Sequence, residues 1–204
     1  PKEAEVERVP EQVQWARDYF NNMYGVLRDP DSTWDQVNEI IDVGSWIDHA
    51  IINTMTFNLD AYRLSGYFYK DRGGKLEMGP IWDCDRCMGS EDSRDNDPEV
   101  WHSRVSDYGT DFFGYPWWEQ LYLNQPNFWQ AWIDRWFELR QEQLSDENIA
   151  AVVDKFAAQI EEAHQRDTDK WRQTPNGGSY APRDMRNWEG EVLHLKGFNQ
   201  ARVD

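Results

Sequence analysis

Three aspartates near the middle of the chain, Asp60, Asp83 and Asp85, have the residue type and spacing that best suit a catalytic or metal-binding role. Carboxylates can orient or deprotonate a hydroxyl group, and they are oxygen ligands that suit Mg²⁺ and Mn²⁺. Ser65 follows the first aspartate by five positions, where kinases often place a second metal ligand, although asparagine is the stronger ligand there. This order favours phosphoryl transfer, in which one carboxylate orients the attacking hydroxyl and another holds the cation against the phosphates.

The chain between these aspartates must position them, and its pattern predicts a β-hairpin. Two short strand-like runs, "GYFYK" (66–70) and "KLEMG" (75–79), flank the turn sequence "DRGG" (71–74). A four-residue turn there would pair Lys70 with Lys75 across the two strands. The two ends of the hairpin would then return to the same place.

The hairpin explains how Asp60 and Asp83 could act together. They are 23 positions apart, but one precedes the first strand by a few residues and the other follows the second strand by a few. We therefore expect the two carboxylates within about 10 Å of each other, on irregular backbone beside a rigid element. Trp82 is expected to pack under the site, and Asn58 to cap the preceding helix.

Two cysteines, Cys84 and Cys87, interrupt the aspartates in a CxxC pattern. A redox-active CxxC needs a thiolate of low pKa, and an aspartate on each side of Cys84 works against that. A zinc site needs four ligands, and the four histidines of the chain lack metal-ligand spacing. The pattern therefore favours structural cysteines, either as buried thiols or as a local disulfide if the compartment is oxidising.

The segment "NLDAYRLSGYFYKDRGGKLEMGPIWDCDRCMG" (58–89) resembles the core of the CotH family, protein kinase-like proteins first associated with bacterial spore coats. The resemblance continues more loosely through "WWEQLYLNQPNFWQAWIDRWFELR" (117–140) and the helices after it. It implies that Asp60 is the catalytic residue, that Asp83 is the principal metal ligand, and that Asp85 supports it. The cysteine between these two metal-binding residues departs from the family, which often has an aromatic or bulky residue there.

The resemblance also implies a reaction and its reactants. Phosphate would pass from ATP to serine or threonine hydroxyls of a protein substrate, with Mg²⁺ or Mn²⁺ as cofactor and Ser65 as an auxiliary ligand. Arg63 and Arg86 lie close in sequence to the acidic residues, so they would either bind phosphate oxygens or simply neutralise the carboxylates. The setting that the family implies is extracellular, at the cell surface or in a spore coat.

One feature of kinases is missing from the chain. Kinases hold the α- and β-phosphates with a lysine of the N-terminal lobe and cover them with a glycine-rich loop. The first 69 residues contain a single lysine, Lys2, and no glycine-rich loop. We therefore expect the C-terminal lobe of an atypical kinase-like fold, cut from a longer chain. Its partner would be an upstream domain, and the fragment alone would transfer little or no phosphate.

Hydrophobic spacing predicts a single, mostly helical domain over residues 1–204, with the hairpin as a small β element. The stretch 90–114 is acidic and aperiodic, which predicts a long loop. Two serines are predicted to begin helices, Ser45 through a capping box with Asp48 and Ser145 as an N-cap. The predicted helices are 10–27, 45 to about 57, 127–144, a long helix after Ser145, and a last helix around Trp188, Val192, Leu195 and Phe198.

The charge of the chain argues against some partners. Its formal net charge is −17 at pH 7, so the chain would repel nucleic-acid phosphates and anionic membranes. No apolar run approaches the roughly 20 residues needed to cross a bilayer. We therefore expect no nucleic-acid partner and no membrane insertion.

Two non-enzymatic hypotheses remain open. The first is a catalytically dead extracellular binding module, in which Trp101, Trp117 and Trp118 stack on sugars and a cation is structural. This hypothesis would gain if Asp60 and Asp83 diverged or were each paired with an arginine. The second is a scaffold that recruits other coat or surface proteins.

Overall fold

The structure, a computed structural model, describes residues 9–62, 64–89, 95–100, 115–171 and 187–204. Within these ranges the chain forms seven α-helices and one antiparallel sheet of two strands, which confirms the predicted mostly helical class with a small hairpin. The helices are α1 Pro10–Arg28, α2 Trp34–Ile40, α3 Val43–Met55, α4 Pro116–Asn124, α5 Pro126–Arg140, α6 Asp146–Trp171 and α7 Trp188–Val203, and the strands are β1 Phe68–Tyr69 and β2 Glu77–Met78. No helix of the described ranges is long and apolar enough to span a membrane.

Helix α3 lies at the centre of the hydrophobic core, and most of its side chains are buried. It packs against α5, α7 and strand β2. Trp46 of α3 contacts Trp117 and Trp118 of α4, with ring centroids 6.3 and 5.0 Å away. The α3 side chains Ile47 and Ile51 are buried in this core. The central helix therefore supports the first half of the candidate site, which begins directly after it.

The tryptophans of α4 serve the core, which overturns their proposed role in sugar stacking. Trp118 is buried in the core, where it packs against Trp46 of α3. Trp117 stacks on Phe20 of α1, with the two rings nearly parallel and their centroids 5.6 Å apart. Trp101 lies outside the described residues. The aromatic surface that the binding-module hypothesis required is therefore not formed by this tryptophan pair.

The starts of two helices differ from the prediction. Helix α2 was not predicted, although Thr33 and Gln36 form a full capping box at its start. Helix α3 has Asp42 as its N-cap, because the Asp42 carboxylate accepts the N–H of Ser45 at 2.8 Å. The predicted start at Ser45 is wrong, since that residue already lies within the first turn. Its hydroxyl instead accepts the N–H of Met78, which ties strand β2 to the helix at 3.1 Å.

The hairpin forms, but its register is one residue away from the predicted one. Tyr69 pairs with Glu77 and Phe68 with Met78, so the predicted pairing of Lys70 with Lys75 is wrong. The turn itself lies where it was expected, because the N–H of Gly74 donates to the carbonyl of Asp71 at 3.0 Å.

Contacts of Leu76 outside the hairpin explain the shifted register. Its N–H donates to the carbonyl of Ile40, and its own carbonyl accepts the N–H of Asp42, each at 2.9 Å. The indole N–H of Trp46 donates to the same carbonyl at 3.0 Å. The side chain is only 2% exposed. Because the link between α2 and α3 takes up both backbone groups of Leu76, this residue leaves the hairpin ladder.

The C-terminal helices follow the prediction more closely. The N-cap at Ser145 is confirmed, since its hydroxyl accepts the N–H of Asn148 at 3.2 Å at the start of α6. Helix α5 ends at Arg140, four residues before the predicted end at 144. The predicted loop at 90–114 lies mostly outside the described residues.

Candidate active site

Two backbone segments carry the candidate site, and the hairpin places them side by side. The first arm (residues 56–60) follows α3, and the second arm (residues 82–88) follows β2. The N–H of Met88 donates to the carbonyl of Thr56 at 2.8 Å, and the N–H of Leu59 donates to the carbonyl of Arg86 at 3.4 Å. These hydrogen bonds confirm that the hairpin returns the chain to its starting point.

A side-chain contact closes the site at the ends of the hairpin. The hydroxyl of Ser65 donates to Oδ2 of Asp83 at 3.2 Å. Ser65 is only 6% exposed, whereas Asp83 is exposed. One carboxylate oxygen of Asp83 therefore accepts a hydrogen bond from a buried hydroxyl, while the residue as a whole remains exposed to solvent.

The backbone of Asp83 adopts an uncommon conformation. Its φ of 61° and ψ of 53° lie in the left-handed region, which residues other than glycine, asparagine and aspartate rarely occupy. Left-handed residues other than glycine are common at functional sites, and here one of them is a predicted metal ligand.

Asp60 is held more deeply than Asp83. Its side chain is 17% exposed, and Oδ2 lies 3.9 Å from a guanidinium nitrogen of Arg86. Its backbone carbonyl accepts the N–H groups of Leu64 and Ser65 at 2.9 and 3.0 Å. The turn that begins at Asp60 therefore also places Ser65, which explains in physical terms why these two residues stand five positions apart.

Asn58 connects the two arms, a role that the sequence did not reveal. Its Oδ1 accepts the N–H of Asp60 at 3.2 Å, and its Nδ2 donates to the carbonyl of Trp82 at 3.5 Å. The residue is 1% exposed. The predicted helix-capping role is also confirmed, because the N–H of Asn58 donates to the carbonyl of Asn53 at the end of α3 at 3.0 Å.

The two cysteines form a disulfide within the second arm. Cys84 and Cys87 are bonded to each other and enclose a short 3-10 turn, Cys84–Arg86. Of the alternatives left open by the sequence, the local disulfide is therefore the one that the structure contains. The disulfide begins at the residue directly after Asp83 and ends directly after Arg86, so it encloses the part of the arm that faces Asp60.

A family model described as CotH kinase protein matches residues 2–204 of the chain. The chain belongs to the CotH kinase family. The match includes both arms and the surrounding helices, so the resemblance noted for residues 58–89 extends across the chain. Neither a curated protein nor a solved structure matches it. Family membership makes this a kinase-like protein.

The donor atoms of this CotH protein suit a cation that is only partly held by protein. Among the described residues no three His, Cys, Asp or Glu side chains come together as a metal cage, so Asp60, Asp83 and Asp85 do not form one. Mg²⁺ usually keeps several waters and is bound through one or two carboxylates together with substrate phosphates. The exposed carboxylate of Asp83, with the hydroxyl of Ser65 beside it, fits that kind of site.

The remaining predicted site residues of the CotH protein have different surroundings. Asp85 lies in the 3-10 turn and is exposed, so its backbone is close to the site. Arg86 lies beside Asp60, as either of its predicted roles would require. Arg63 lies outside the described residues. The expectation for Trp82 is wrong, because this side chain is 54% exposed and contacts Tyr67 edge to face at 5.8 Å.

Two cavities in the described part of the chain lie away from the acidic residues of the arms. A cavity of about 590 Å³ lies between the end of α7 and the aromatic side chains of α5, and one of about 460 Å³ lies between α6 and α7. Neither is lined by Asp60, Ser65 or Asp83.

Proposed function

We propose that this CotH protein is the catalytic lobe of a protein kinase. It transfers the γ-phosphoryl group of ATP to serine or threonine hydroxyls of a protein, with Mg²⁺ or Mn²⁺ as cofactor. The observation that carries this proposal is the pairing of the two arms, which puts Asp60 and Asp83 on neighbouring, hydrogen-bonded segments. Phosphoryl transfer depends mainly on such positioning and on stabilisation of charge.

Asp60 has the role of orienting the acceptor hydroxyl. Its carboxylate is mostly buried and its backbone is fixed by the turn to Ser65, so it can present its oxygens in few directions. Arg86 supplies a positive charge 3.9 Å away. A guanidinium in that position can attract phosphate oxygens toward the carboxylate. Of the two roles expected for Arg86, phosphate binding and neutralisation of carboxylates, the proposal assigns the first.

Asp83 has the role of holding the cation against the phosphates. Its exposure leaves room for a cation and its phosphate ligands, and the Ser65 hydroxyl restrains one carboxylate oxygen. When bound, the cation neutralises charge on the phosphates during transfer. Asp85, which is exposed and lies two residues after Asp83, is placed to add a water-mediated or direct contact to the cation.

The proposal includes an upstream domain of the same protein. The lysine and the covering loop that hold nucleotide phosphates in kinases have no counterpart in the first 69 residues, where Lys2 is the one lysine. We assign both functions to that domain. The extracellular, cell-surface or spore-coat setting follows from the family and is part of the same proposal.

Isothermal titration of the full-length protein with ATP and Mn²⁺ tests the proposal. Asp83→Asn is the informative variant, because asparagine tolerates the left-handed backbone and keeps an oxygen near Ser65 while it removes the charge. We expect this variant to lose at least tenfold in affinity. Asp134→Asn is the matched control, since Asp134 is exposed on α5, far along the chain from the arms.

Two results would contradict the proposal. Equal affinity in Asp83→Asn and in the wild type would refute the metal-ligand role. Normal binding in Asp60→Asn is expected, but phosphate transfer to a Ser/Thr peptide should then fall by about 10²- to 10⁴-fold. Unchanged transfer in that variant would refute the catalytic role of Asp60.

A non-catalytic binding module is the second candidate. The contact between Asp60 and Arg86 favours it, because a carboxylate neutralised by an arginine is a common structural arrangement. The same hypothesis would gain further from an arginine on Asp83, but the described partner of Asp83 is the hydroxyl of Ser65. The first candidate therefore accounts for more of the site.

A further inference from the structure

The disulfide between Cys84 and Cys87 holds the part of the second arm that carries the candidate ligands. It begins directly after Asp83 and encloses Asp85 and Arg86 within its ring. A covalent bond across so short a segment restricts the backbone of every residue between the two sulfurs. The disulfide therefore restricts the backbone of Asp85 and Arg86, and it is joined directly to Asp83.

The other contacts of this segment are non-covalent, and one of them is the hydrogen bond that the hydroxyl of Ser65 donates to Asp83. The backbone hydrogen bond from Leu59 to Arg86 is long, at 3.4 Å, and the closest approach of Arg86 to Asp60 is 3.9 Å. The strong hydrogen bond between the arms, from Met88 to Thr56 at 2.8 Å, lies just beyond the disulfide. Opening the disulfide would thus loosen the segment from Asp83 to Arg86 and leave the base of the arm in place.

The two sulfurs differ in access. Cys84 is exposed, whereas Cys87 is 5% exposed. A thiolate from solution can therefore attack Sγ of Cys84 and expel Cys87 as the leaving group, as thiol–disulfide exchange requires an accessible sulfur.

We propose that Cys84–Cys87 is a redox modification site, at which a dithiol reductant weakens the binding of Mn²⁺·ATP by loosening the arm that carries Asp83. This inference rests on the proposed function, because it concerns the same ligands. It adds redox regulation of ligand binding, which the family assignment does not include.

The chemistry balances with a dithiol as the electron donor. One thiolate of the dithiol attacks Sγ of Cys84, which breaks the bond between the two protein sulfurs, and Cys87 leaves as a thiolate and takes up a proton. The second thiol of the reductant then attacks the mixed disulfide and releases Cys84. Two electrons and two protons pass to the protein, and the reductant becomes a disulfide.

The expected size of the effect is modest. Closing a loop of four residues removes a limited amount of backbone entropy. We therefore expect that opening the disulfide weakens the affinity for Mn²⁺·ATP roughly tenfold. The reduced segment can still adopt the binding conformation, but it must be ordered when the ligand binds, and this ordering lowers the affinity.

The test compares Mn²⁺·ATP binding by the oxidised and reduced full-length protein. The protein is reduced with dithiothreitol, desalted without air and titrated by calorimetry, and alkylation followed by mass spectrometry counts the free thiols. We expect the reduced protein to bind about tenfold more weakly. The double variant Cys84→Ala/Cys87→Ala should bind like the reduced wild type and should not respond to the dithiol.

The outcomes separate this inference from the proposed function. Equal affinity in the two redox states, or a disulfide that dithiothreitol does not open, would overturn the inference alone. Absence of binding in both states would overturn the proposed function and the inference with it. If the double variant does not fold by circular dichroism, the comparison of the two wild-type states still decides.

Discussion

The hydroxyl of Ser65 donates a hydrogen bond of 3.2 Å to the carboxylate of Asp83, although the two residues are 18 positions apart. Ser65 precedes the first strand of the hairpin and Asp83 follows the second. Ser65 is placed by the turn that starts at Asp60, since both N–H groups at the end of that turn donate to the Asp60 carbonyl. One contact therefore links the candidate base to the candidate metal ligand through a single turn of backbone.

Replacing this serine should affect binding more than stability. In Ser65→Ala the affinity for Mn²⁺·ATP should fall about three- to tenfold, because one oxygen of Asp83 is no longer restrained. The free energy of unfolding should fall by less than about 1 kcal/mol, because the exposed carboxylate can bond to water instead. Calorimetric titration and urea unfolding measure the two quantities.

Ser145→Ala is the control for that experiment. Ser145 caps α6, so its loss should cost about 0.5–2 kcal/mol of stability and leave binding unchanged. If Ser65→Ala bound the nucleotide as well as the wild type, the hydroxyl would have only a structural part in the site.

The left-handed backbone of Asp83 predicts an order of stability among its variants. Asp83→Gly should be within about 1 kcal/mol of the wild type, because glycine adopts a φ of 61° without strain. Asp83→Val should be less stable than Asp83→Gly by about 1–2 kcal/mol, because a β-branched side chain clashes there. Both variants lose the carboxylate, so their difference in urea unfolding reports the backbone alone. Equal stability would mean that residue 83 is not left-handed in solution.

Leu76 should be essential to the position of the hairpin. Leu76→Ala should lower the free energy of unfolding by about 2–5 kcal/mol, because the side chain is fully enclosed in the core. Lys75→Ala, at the exposed neighbouring position, should change it by less than about 0.5 kcal/mol. Thermal or urea unfolding compares the two, and similar values would show that Leu76 does not anchor the hairpin.

The sequence predicted best those features that local spacing decides. The start of α1 at Pro10 and the cap of α6 at Ser145 follow from residue types within one turn of each position. The hairpin register could not be obtained this way. It depends on backbone hydrogen bonds from Leu76 to the link between α2 and α3, and these join residues more than 30 positions apart.

The candidate site was predictable in outline for the same reason. A hairpin must return the chain, so the nearness of the two arms followed from its turn sequence alone. The direction of each side chain did not. Trp82 points outward and Asn58 inward because of the local path of the arms, and the choice between free thiols and a disulfide at Cys84 depended on the 3-10 turn.

A buried histidine in α3 should make stability depend on pH. His49 is 3% exposed, and its ring stacks on Trp118 with centroids 5.9 Å apart. Burial lowers the pKa of His49 from 6.5 to about 4. Between these two values the unfolded chain binds a proton that the folded chain does not, so the free energy of unfolding rises with pH through this window. The contribution of His49 is fully present above pH 6.5 and is lost as the pH falls toward 4, with a total of about 3 kcal/mol.

The variant His49→Phe isolates this contribution, because it keeps a ring against Trp118 and removes the titration. Asn53 stays satisfied in the variant, since its Nδ2 also donates to the backbone carbonyl of residue 49 at 2.9 Å. Urea unfolding at pH values from 4 to 7 gives the free energy of unfolding as a function of pH. This free energy should rise more steeply with pH in the wild type than in His49→Phe. The carboxylates of the chain contribute equally to both proteins, so the difference belongs to the histidine. Parallel slopes would show that this ring is protonated in the folded protein or exposed to water, and α3 would then not be packed as described.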